Sequence, residues 1–186
     1  MKELSLNILD IAENSVKARA TYISIVIEET GDTLSLTVTD DGCGMTEETL
    51  MSVQNPFYTT RTTRKVGMGI PLLKLSAEMT GGALTITSRH ESLYTDHGTA
   101  VNALFYKNHI DFTPLGDVIS SITTLIQGHP DIDFMFLHKS GASEVSLNTR
   151  DIRAVLEDVP LDTYDVLVWI RENLEEQYEG FNENQK

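Results

Sequence analysis

The chain has 186 residues, enough for one large domain or two small ones, each with its own hydrophobic core. Its 40% hydrophobic and 23% charged content is typical of a globular protein, and no apolar run is long enough to span a membrane. A net charge of −14 disfavours nucleic acid and anionic lipid as partners, and the single cysteine, Cys43, fits a reducing cytoplasm. We therefore expect a cytoplasmic protein that binds neither nucleic acid nor membrane.

An amphipathic helix is predicted at the amino terminus. Apolar residues recur every three or four positions from Leu4 to Val16 and supply one buried face. Asp10, Asn14 and Lys17 lie three or four residues apart, so their side chains stack along one stripe of the helix. A carboxylate, an amide oxygen and an ammonium can hold a water, a hard cation and a phosphate. Taken alone, the stripe also fits a solvated helix face.

A β-hairpin follows the helix. Residues 22–28 and 33–40 each alternate apolar and polar side chains, and a Thr-Gly-Asp turn separates them. The second strand leads into Asp40-Asp41-Gly42-Cys43-Gly44-Met45, where glycines let backbone approach a ligand closely. Cys43 is interpreted as a small residue in this tight loop. Thr46 is predicted to cap a short helix.

The next segment is basic and leads into a second long helix. Residues 55–66 are polar and without periodicity, which predicts a mobile loop, and Arg61 supplies a local cation there. Gly67-Met68-Gly69 precedes a helix with Pro71 in its first turn, which should end at Gly81-Gly82. The free N–H groups at the start of such a helix favour a phosphate.

Two further strands, at residues 84–88 and 99–105, complete the first unit. They are joined by a polar loop in which His90 and His97 are expected to be surface residues. A boundary is predicted near residues 109–112, which divides the chain into residues 1–110 and 111–186.

The second unit is predicted to be a small α+β module of unknown role. Its first helix should begin at Thr113-Pro114 and run through Ile126, with Trp169 of a later helix in the core. The other predicted elements are strands at residues 132–137 and 144–147 and helices at residues 151–157 and 164–178.

Four short motifs in a fixed order carry a family resemblance. They are Asn14 with Ser15 and Lys17, Asp40-x-Gly42-x-Gly44, Gly67-x-Gly69 and Gly98-Thr99. They resemble the N box and the three glycine boxes of the Bergerat-fold (GHKL) ATPases, which include DNA gyrase, MutL and sensor histidine kinases. The first two motifs look MutL-like, and residues 55–82 look like a histidine-kinase catalytic domain. The resemblance implies an α+β fold, a two-layer sandwich of helices on a mixed sheet.

The resemblance also implies a site for ATP and Mg²⁺. Asn14 would ligate Mg²⁺, Asp40 would accept a hydrogen bond from the adenine 6-amino group, and Thr99 would support that contact. Lys17, Arg61 and the amides after the third motif would hold the phosphates. The implied nucleotide-binding residues are Asn14, Lys17, Asp40, Gly42, Gly44, Met45, Arg61, Gly67, Met68, Gly69 and Thr99.

Asp10 is the candidate catalytic residue, and it departs from the pattern. Gyrase and MutL carry a glutamate four residues before the asparagine, whereas histidine kinases usually carry asparagine there. The aspartate is one methylene shorter than glutamate, so we expect slow hydrolysis at most. Both an ATPase and a protein kinase therefore stay open.

Three functions follow from the sequence. The first is an Mg–ATP-dependent ATPase or protein kinase that acts in signalling through a protein partner or phospho-acceptor. The second is a non-catalytic module that senses ATP or ADP, and the third is a MutL-like DNA-maintenance ATPase, which the net charge of −14 disfavours. His109, followed by Thr113-Pro114-Leu115, echoes the phospho-acceptor motif of histidine kinases, but a polar residue before a helix cap is the simpler interpretation.

Overall fold

A computed structural model describes residues 3–53 and 68–183. Within these ranges the helices are α1 (Leu4–Lys17), α2 (Glu47–Val53), α3 (Gly69–Met79), α4 (Val118–Gly128), α5 (Thr149–Leu156) and α6 (Tyr164–Glu183). The strands are β1 (Tyr22–Thr30), β2 (Thr33–Asp40), β3 (Ala83–Arg89), β4 (Gly98–Tyr106), β5 (Asp133–Ser140) and β6 (Ser143–Asn148). The predicted mobile loop at residues 55–66, with Arg61, and Gly67 lie outside the described residues. None of the described helices combines the length and apolar character needed to cross a bilayer.

The described strands form one mixed six-stranded sheet in the order β3-β4-β2-β1-β5-β6. Each neighbouring pair is antiparallel except β1 and β5, which run parallel. The alternation in the first hairpin is confirmed, because Ile23, Ile25 and Ile27 of β1 are fully buried and their chain neighbours are not. The helices form the second layer, in which α1 contacts α3 and α4, and α4 contacts α6. The predicted two-layer α+β sandwich is confirmed.

The sheet continues past the boundary predicted near residue 110. Strand β5 pairs along its whole length with β1, and Phe134 and Phe136 of β5 are buried in the same core cluster as Ile25. The described elements from α4 onward therefore share a sheet and a core with α1 and strands β1–β4. The division into residues 1–110 and 111–186 stays a prediction about how the chain is organised.

The predicted start of the fourth helix at Thr113-Pro114 is wrong. Helix α4 begins at Val118, and the Asp117 carboxylate caps it by accepting hydrogen bonds from Ser120 N at 2.8 Å and Ser120 Oγ at 2.6 Å. These bonds hold the pKa of Asp117 below its ordinary value.

The segment before α4 has a different partner. The carbonyl oxygens of Pro114 and Leu115 accept hydrogen bonds from Leu4 N at 2.9 Å and Ser5 N at 2.8 Å, two of the free N–H groups at the start of α1. The backbone of residues 114–115 is thus committed to α1 and does not begin a helix of its own.

The prediction that Trp169 belongs to the core is also wrong. Helix α6 buries Val166, Ile170 and Leu174, which recur at four-residue spacing. Trp169 precedes Ile170 by one position, so it lies off this stripe and is 52% exposed.

A partly buried cluster of charged and hydrogen-bonding side chains joins α6 to the sheet. Glu29 of β1 accepts a hydrogen bond from Lys107 Nζ at 2.7 Å and lies 3.1 Å from Nε2 of His138 on β5. His138 Nδ1 in turn lies 2.9 Å from the Tyr178 hydroxyl of α6. The hydrogen bond with His138, together with that from Lys107, outweighs burial and lowers the pKa of Glu29 to about 2.

This cluster predicts a specific pH dependence of stability. Glu29 has an ordinary pKa of 4.5 in the unfolded chain and about 2 in the folded chain, so its stabilising contribution is complete above pH 4.5 and is lost as the pH falls toward 2. We expect Glu29→Gln to lower the free energy of unfolding at pH 7. Between pH 4.5 and 2, the free energy of unfolding of the variant should fall less than that of the wild type. Denaturant unfolding at several pH values measures this. Glu28→Gln, at the exposed neighbouring position, is the control, and equal acid sensitivity of all three proteins would contradict the prediction.

Candidate functional site

A cavity of about 190 Å³ lies between α1, the start of α3 and the carboxyl end of β2. Its described walls are mostly apolar, with polar side chains from Asn14, Ser15, Asp40 and Thr99. Among the described residues, the lining is Ile11, Asn14, Ser15, Ala18, Asp40, Gly44, Met45, Val53, Ile70, Pro71, Thr99 and Val101. Five of the predicted site residues therefore meet here: Asn14, Asp40, Gly44, Met45 and Thr99.

The Asp40 carboxylate is held from two sides. Its Oδ2 accepts a hydrogen bond from Ser15 Oγ of α1 at 2.6 Å, and its Oδ1 accepts one from Gly42 N of the following loop at 2.9 Å. Ser15 is buried, whereas Asp40 is partly exposed at the cavity, so this contact is shielded from water on the Ser15 side. An ionised carboxylate has about four lone-pair sites, so two bonds leave Asp40 able to accept another from a ligand in the cavity.

Two glycines let the loop after β2 pass close to its neighbours. A Cβ on Gly42 would lie 2.8 Å from both Cβ and O of Ala18 at the end of α1. Gly44 has φ +68°, and a Cβ there would lie 1.9 Å from the carbonyl oxygen of Arg89 at the end of β3. Neither position accommodates a side chain without movement of backbone, which is why the second motif requires glycine at both places.

Asp41 anchors the same loop but faces away from the cavity lining. Its carboxylate accepts hydrogen bonds from Thr21 N at 2.7 Å, Thr21 Oγ1 at 2.6 Å and Tyr22 N at 2.9 Å. Burial alone would raise the pKa of Asp41, but the bonds from Thr21 and Tyr22 together lower it below its ordinary value. Of the two adjacent aspartates, Asp40 serves the cavity and Asp41 serves the loop.

Ser88 is a site residue that the sequence did not reveal. Its Oγ accepts a hydrogen bond from Met45 N at 2.7 Å and lies 2.8 Å from Thr99 Oγ1. It therefore joins the loop after β2 to the cavity residue Thr99. Ser88 and Thr99 are partners in the pairing of β3 with β4. This contact can therefore be predicted only when the register of the two strands is known.

The expectation that His97 is a simple surface residue is wrong. Its Nδ1 lies 2.6 Å from the carbonyl oxygen of Gly42, and its ring is partly buried. The next residue, Gly98, packs even closer to the loop, since a Cβ there would lie 2.0 Å from Asp40 O. His90 contacts Ser92 of its own exposed turn.

Asp10, the candidate catalytic residue, lies next to the start of α3. A Cβ on Gly69 would lie 2.8 Å from Cβ of Asp10, and Asp10 itself is exposed on α1. Asn14 lies one turn further along α1 and lines the cavity. Lys17 and Met68 are exposed and outside the described lining, so their roles in binding phosphate or nucleotide stay predictions, as does the role of Asp10.

The oxygen atoms near the cavity suit a hard cation that is coordinated mainly by the phosphates of a bound substrate and by water. Among residues 3–53 and 68–183, no three His, Cys, Asp or Glu side chains come together as a metal site. Mg²⁺ commonly uses one or two protein oxygens together with substrate phosphates and water. The amide oxygen of Asn14 fits that arrangement.

The sequence model of the histidine kinase-, DNA gyrase B- and HSP90-like ATPases matches residues 2–109. The chain belongs to this family. The match contains all the described cavity residues, from Ile11 to Val101. The family resemblance inferred from the four motifs is confirmed.

One sequence relative is the sensor histidine kinase YvrG of Bacillus subtilis strain 168, which is 33% identical over 100 residues. The match covers 50% of this chain and 16% of YvrG, so the chain spans only a small part of that relative's length.

Two solved structures share the fold. The ATPase domain of Aquifex aeolicus MutL complexed with ADP has a TM-score of 0.54 and 15% identity, over 84% of this chain and 70% of that one. The N-terminal domain of a DNA repair protein has a TM-score of 0.53 and 16% identity, over 79% of this chain and 53% of that one. Because 84% of the chain is more than the stretch matched by the family model, the shared fold extends into residues 111–186.

The close approach at Gly44 predicts a stability difference between two glycines. Gly31, at the tip of the first hairpin, has φ +52° and open space around it, whereas Gly44 has φ +68° and backbone in the way. We expect Gly31→Ala to lower the free energy of unfolding by about 1–2 kcal/mol through backbone strain alone, and Gly44→Ala to lower it by at least about twice as much. Denaturant unfolding measures both, and equal losses would show that the Gly44 loop moves aside freely.

Proposed function

We propose that this histidine-kinase-like ATPase binds Mg–ATP in the cavity beside Asp40 and uses it in signalling or regulation through a protein partner. One observation supports the proposal above all: the Asp40 carboxylate is fixed by Ser15 and Gly42, and it lines an apolar cavity next to Asn14. A fixed hydrogen-bond acceptor between apolar walls is what a purine with a 6-amino group, such as adenine, requires.

The described cavity fits a part of a nucleotide. Sites for whole ligands commonly measure about 300–1,000 Å³, so 190 Å³ is room for the base. The apolar side chains of Ile11, Ile70 and Val101 would contact the faces of the ring, and Gly44 leaves its edge unobstructed. Thr99, tied to Ser88, would support the polar end.

The phosphates would extend toward Asn14 and the start of α3. The amide oxygen of Asn14 would hold Mg²⁺, which, when bound, neutralises charge on the phosphates during hydrolysis or transfer. The amide at Gly69, in the first turn of α3, would bind phosphate oxygens. We extend the same role to Lys17, Arg61 and Gly67 on the strength of the family pattern.

Base selection tests the binding part of the proposal. ATP presents an amino donor to Asp40, whereas GTP presents a carbonyl oxygen, which leaves two acceptors opposed. We expect ATP to bind at least about tenfold more tightly than GTP, a difference within the range of one buried polar mismatch. Calorimetry with Mg²⁺ measures both dissociation constants. Asp40→Asn, whose amide can also donate a hydrogen bond, should reduce the ratio of the GTP dissociation constant to the ATP dissociation constant. Asp32→Asn, at the exposed hairpin turn, should leave this ratio unchanged. Equal affinity of the wild type for the two nucleotides would refute the assignment.

Asp10 tests the catalytic part. Its exposed carboxylate lies beside Gly69, where it can orient or deprotonate a water near the phosphates. We expect Asp10→Asn to slow phosphate release by about 10²-fold or more with ATP affinity changed by less than about twofold. Glu13→Gln, on the same helix, should leave both quantities near their wild-type values.

The outcome of that assay also separates the two leading functions. Slow release that depends on Asp10 supports an ATPase, and phosphate transferred to protein supports a kinase. Tight binding with no release by the wild type would favour the non-catalytic sensor or a kinase that awaits its phospho-acceptor. A DNA-maintenance role is not proposed, because likeness at 15% identity concerns the fold alone and the net charge of −14 opposes DNA binding.

A further inference from the structure

Helices α5 and α6 leave an open apolar groove between them, with a volume of about 620 Å³. Its lining is Asp151, Ile152, Val155 and Leu156 of α5 and Asp165, Val166 and Trp169 of α6. It shares no lining residue with the described part of the nucleotide cavity. The groove is therefore a second concave surface, distinct from the site proposed for ATP.

The groove exposes large apolar side chains that the core does not use. Val155 is 83% exposed and Trp169 is 52% exposed, on facing helices. Val159, just before α6, and Tyr164, the first residue of α6, lie outside the lining and are exposed as well. Single exposed apolar residues are ordinary, but several around one concavity are typical of a docking surface.

The orientation of α5 is fixed by charges on its other side. Arg150 Nε and Arg153 Nε donate to the Asp133 carboxylate of β5 at 3.0 Å and 2.8 Å. These bonds hold the polar side of α5 on the sheet. Val155 is left pointing away from them, into the groove.

The same bonds leave the groove with unpaired negative charge. Residues 149–183 contain ten acidic and three basic residues. The three basic residues are already paired, Arg150 and Arg153 with Asp133 and Arg171 with Glu175. Within the described residues, Asp151 and Asp165 on the groove therefore have no ion-pair partner. An apolar floor with unpaired carboxylates at its edge is complementary to an apolar ligand that carries cations.

We propose that the groove binds a basic amphipathic helix of a partner protein. Apolar side chains at three- and four-residue spacing would enter between Val155 and Trp169, and flanking lysines or arginines would pair with Asp151 and Asp165. A second copy of this chain is a poor occupant, because each copy carries a net charge of −14 and an acidic groove edge. The inference does not depend on nucleotide binding.

Trp169 provides a direct test, since it is the one tryptophan in the sequence. The probe is an 18-residue peptide of leucine and lysine with leucines at helical spacing, and its leucine–glutamate counterpart is the charge control. Without nucleotide, we expect the lysine peptide to shift Trp169 emission to shorter wavelength in a saturable way. The glutamate peptide should cause no shift.

Matched variants locate the binding. Val155→Gln should raise the dissociation constant of the lysine peptide by about tenfold, as expected for a central apolar contact. Ile110→Gln, at a position 94% exposed outside the groove, should change it less than twofold. The double variant Asp151→Asn/Asp165→Asn should bind the lysine peptide severalfold more weakly at low salt. The control is the double variant Glu28→Gln/Asp32→Asn, which removes the same charge outside the groove and should bind the peptide like the wild type.

Three results would overturn the proposal: no saturable shift with the lysine peptide, equal losses in Val155→Gln and Ile110→Gln, or a dimer in sedimentation that Val155→Gln dissociates. The last result would assign the groove to a second copy of the chain. ATP titration of Val155→Gln should match the wild type, so a failure of the groove proposal and a failure of ATP binding are distinguishable.

Discussion

The hydrogen bonds of the Asp40 carboxylate are the constraint on which the candidate site depends. Through Ser15 they fix β2 to α1, and through Gly42 they fix the loop that follows. That loop packs against the end of α1, the end of β3 and the start of β4. A Cβ on Gly42 or Gly44 of the loop, or on Gly98 at the start of β4, would collide with neighbouring backbone. A carboxylate held in this way is positioned by the protein's own hydrogen bonds, which is the condition for selecting one base over another.

Helix α1 links this site to the rest of the molecule. Its buried face supplies Ile8 and Ile11 to the core, and its last turn supplies Asn14 and Ser15 to the cavity, which Ile11 also lines. Its first N–H groups bond to the carbonyls of residues 114–115, so the segment that leads to α4 contributes to positioning it. The carboxyl-terminal part of the chain thus supports the site through α1 and through the pairing of β5 with β1.

Local patterns in the sequence predicted most of the elements and five of the twelve described residues that line the cavity. The period of two in β1 and β2 and the spacing of glycines identify the hairpin and the loop around Asp40, because these depend on neighbouring residues. Ser88 was not predicted because its contact with Thr99 depends on the pairing of β3 with β4, and the contact of His97 was not predicted because its partner, Gly42, is 55 positions away in the sequence. The start of α4 was misplaced because Pro114 is a good first-turn residue whose backbone has another partner. Trp169 was assigned to the core by its apolar character, which a docking groove equally requires.

Amide chemical shifts recorded during titration with Mg–ADP test the central claim, nucleotide binding beside Asp40, most directly. The N–H of Gly42 donates to Asp40, and the residues Gly44 and Thr99 line the cavity. We predict that the largest saturable shifts fall on Gly42, Gly44 and Thr99, with residues of α5 unaffected. Shifts centred elsewhere, or none at millimolar nucleotide, would contradict the assignment of this cavity as the nucleotide site.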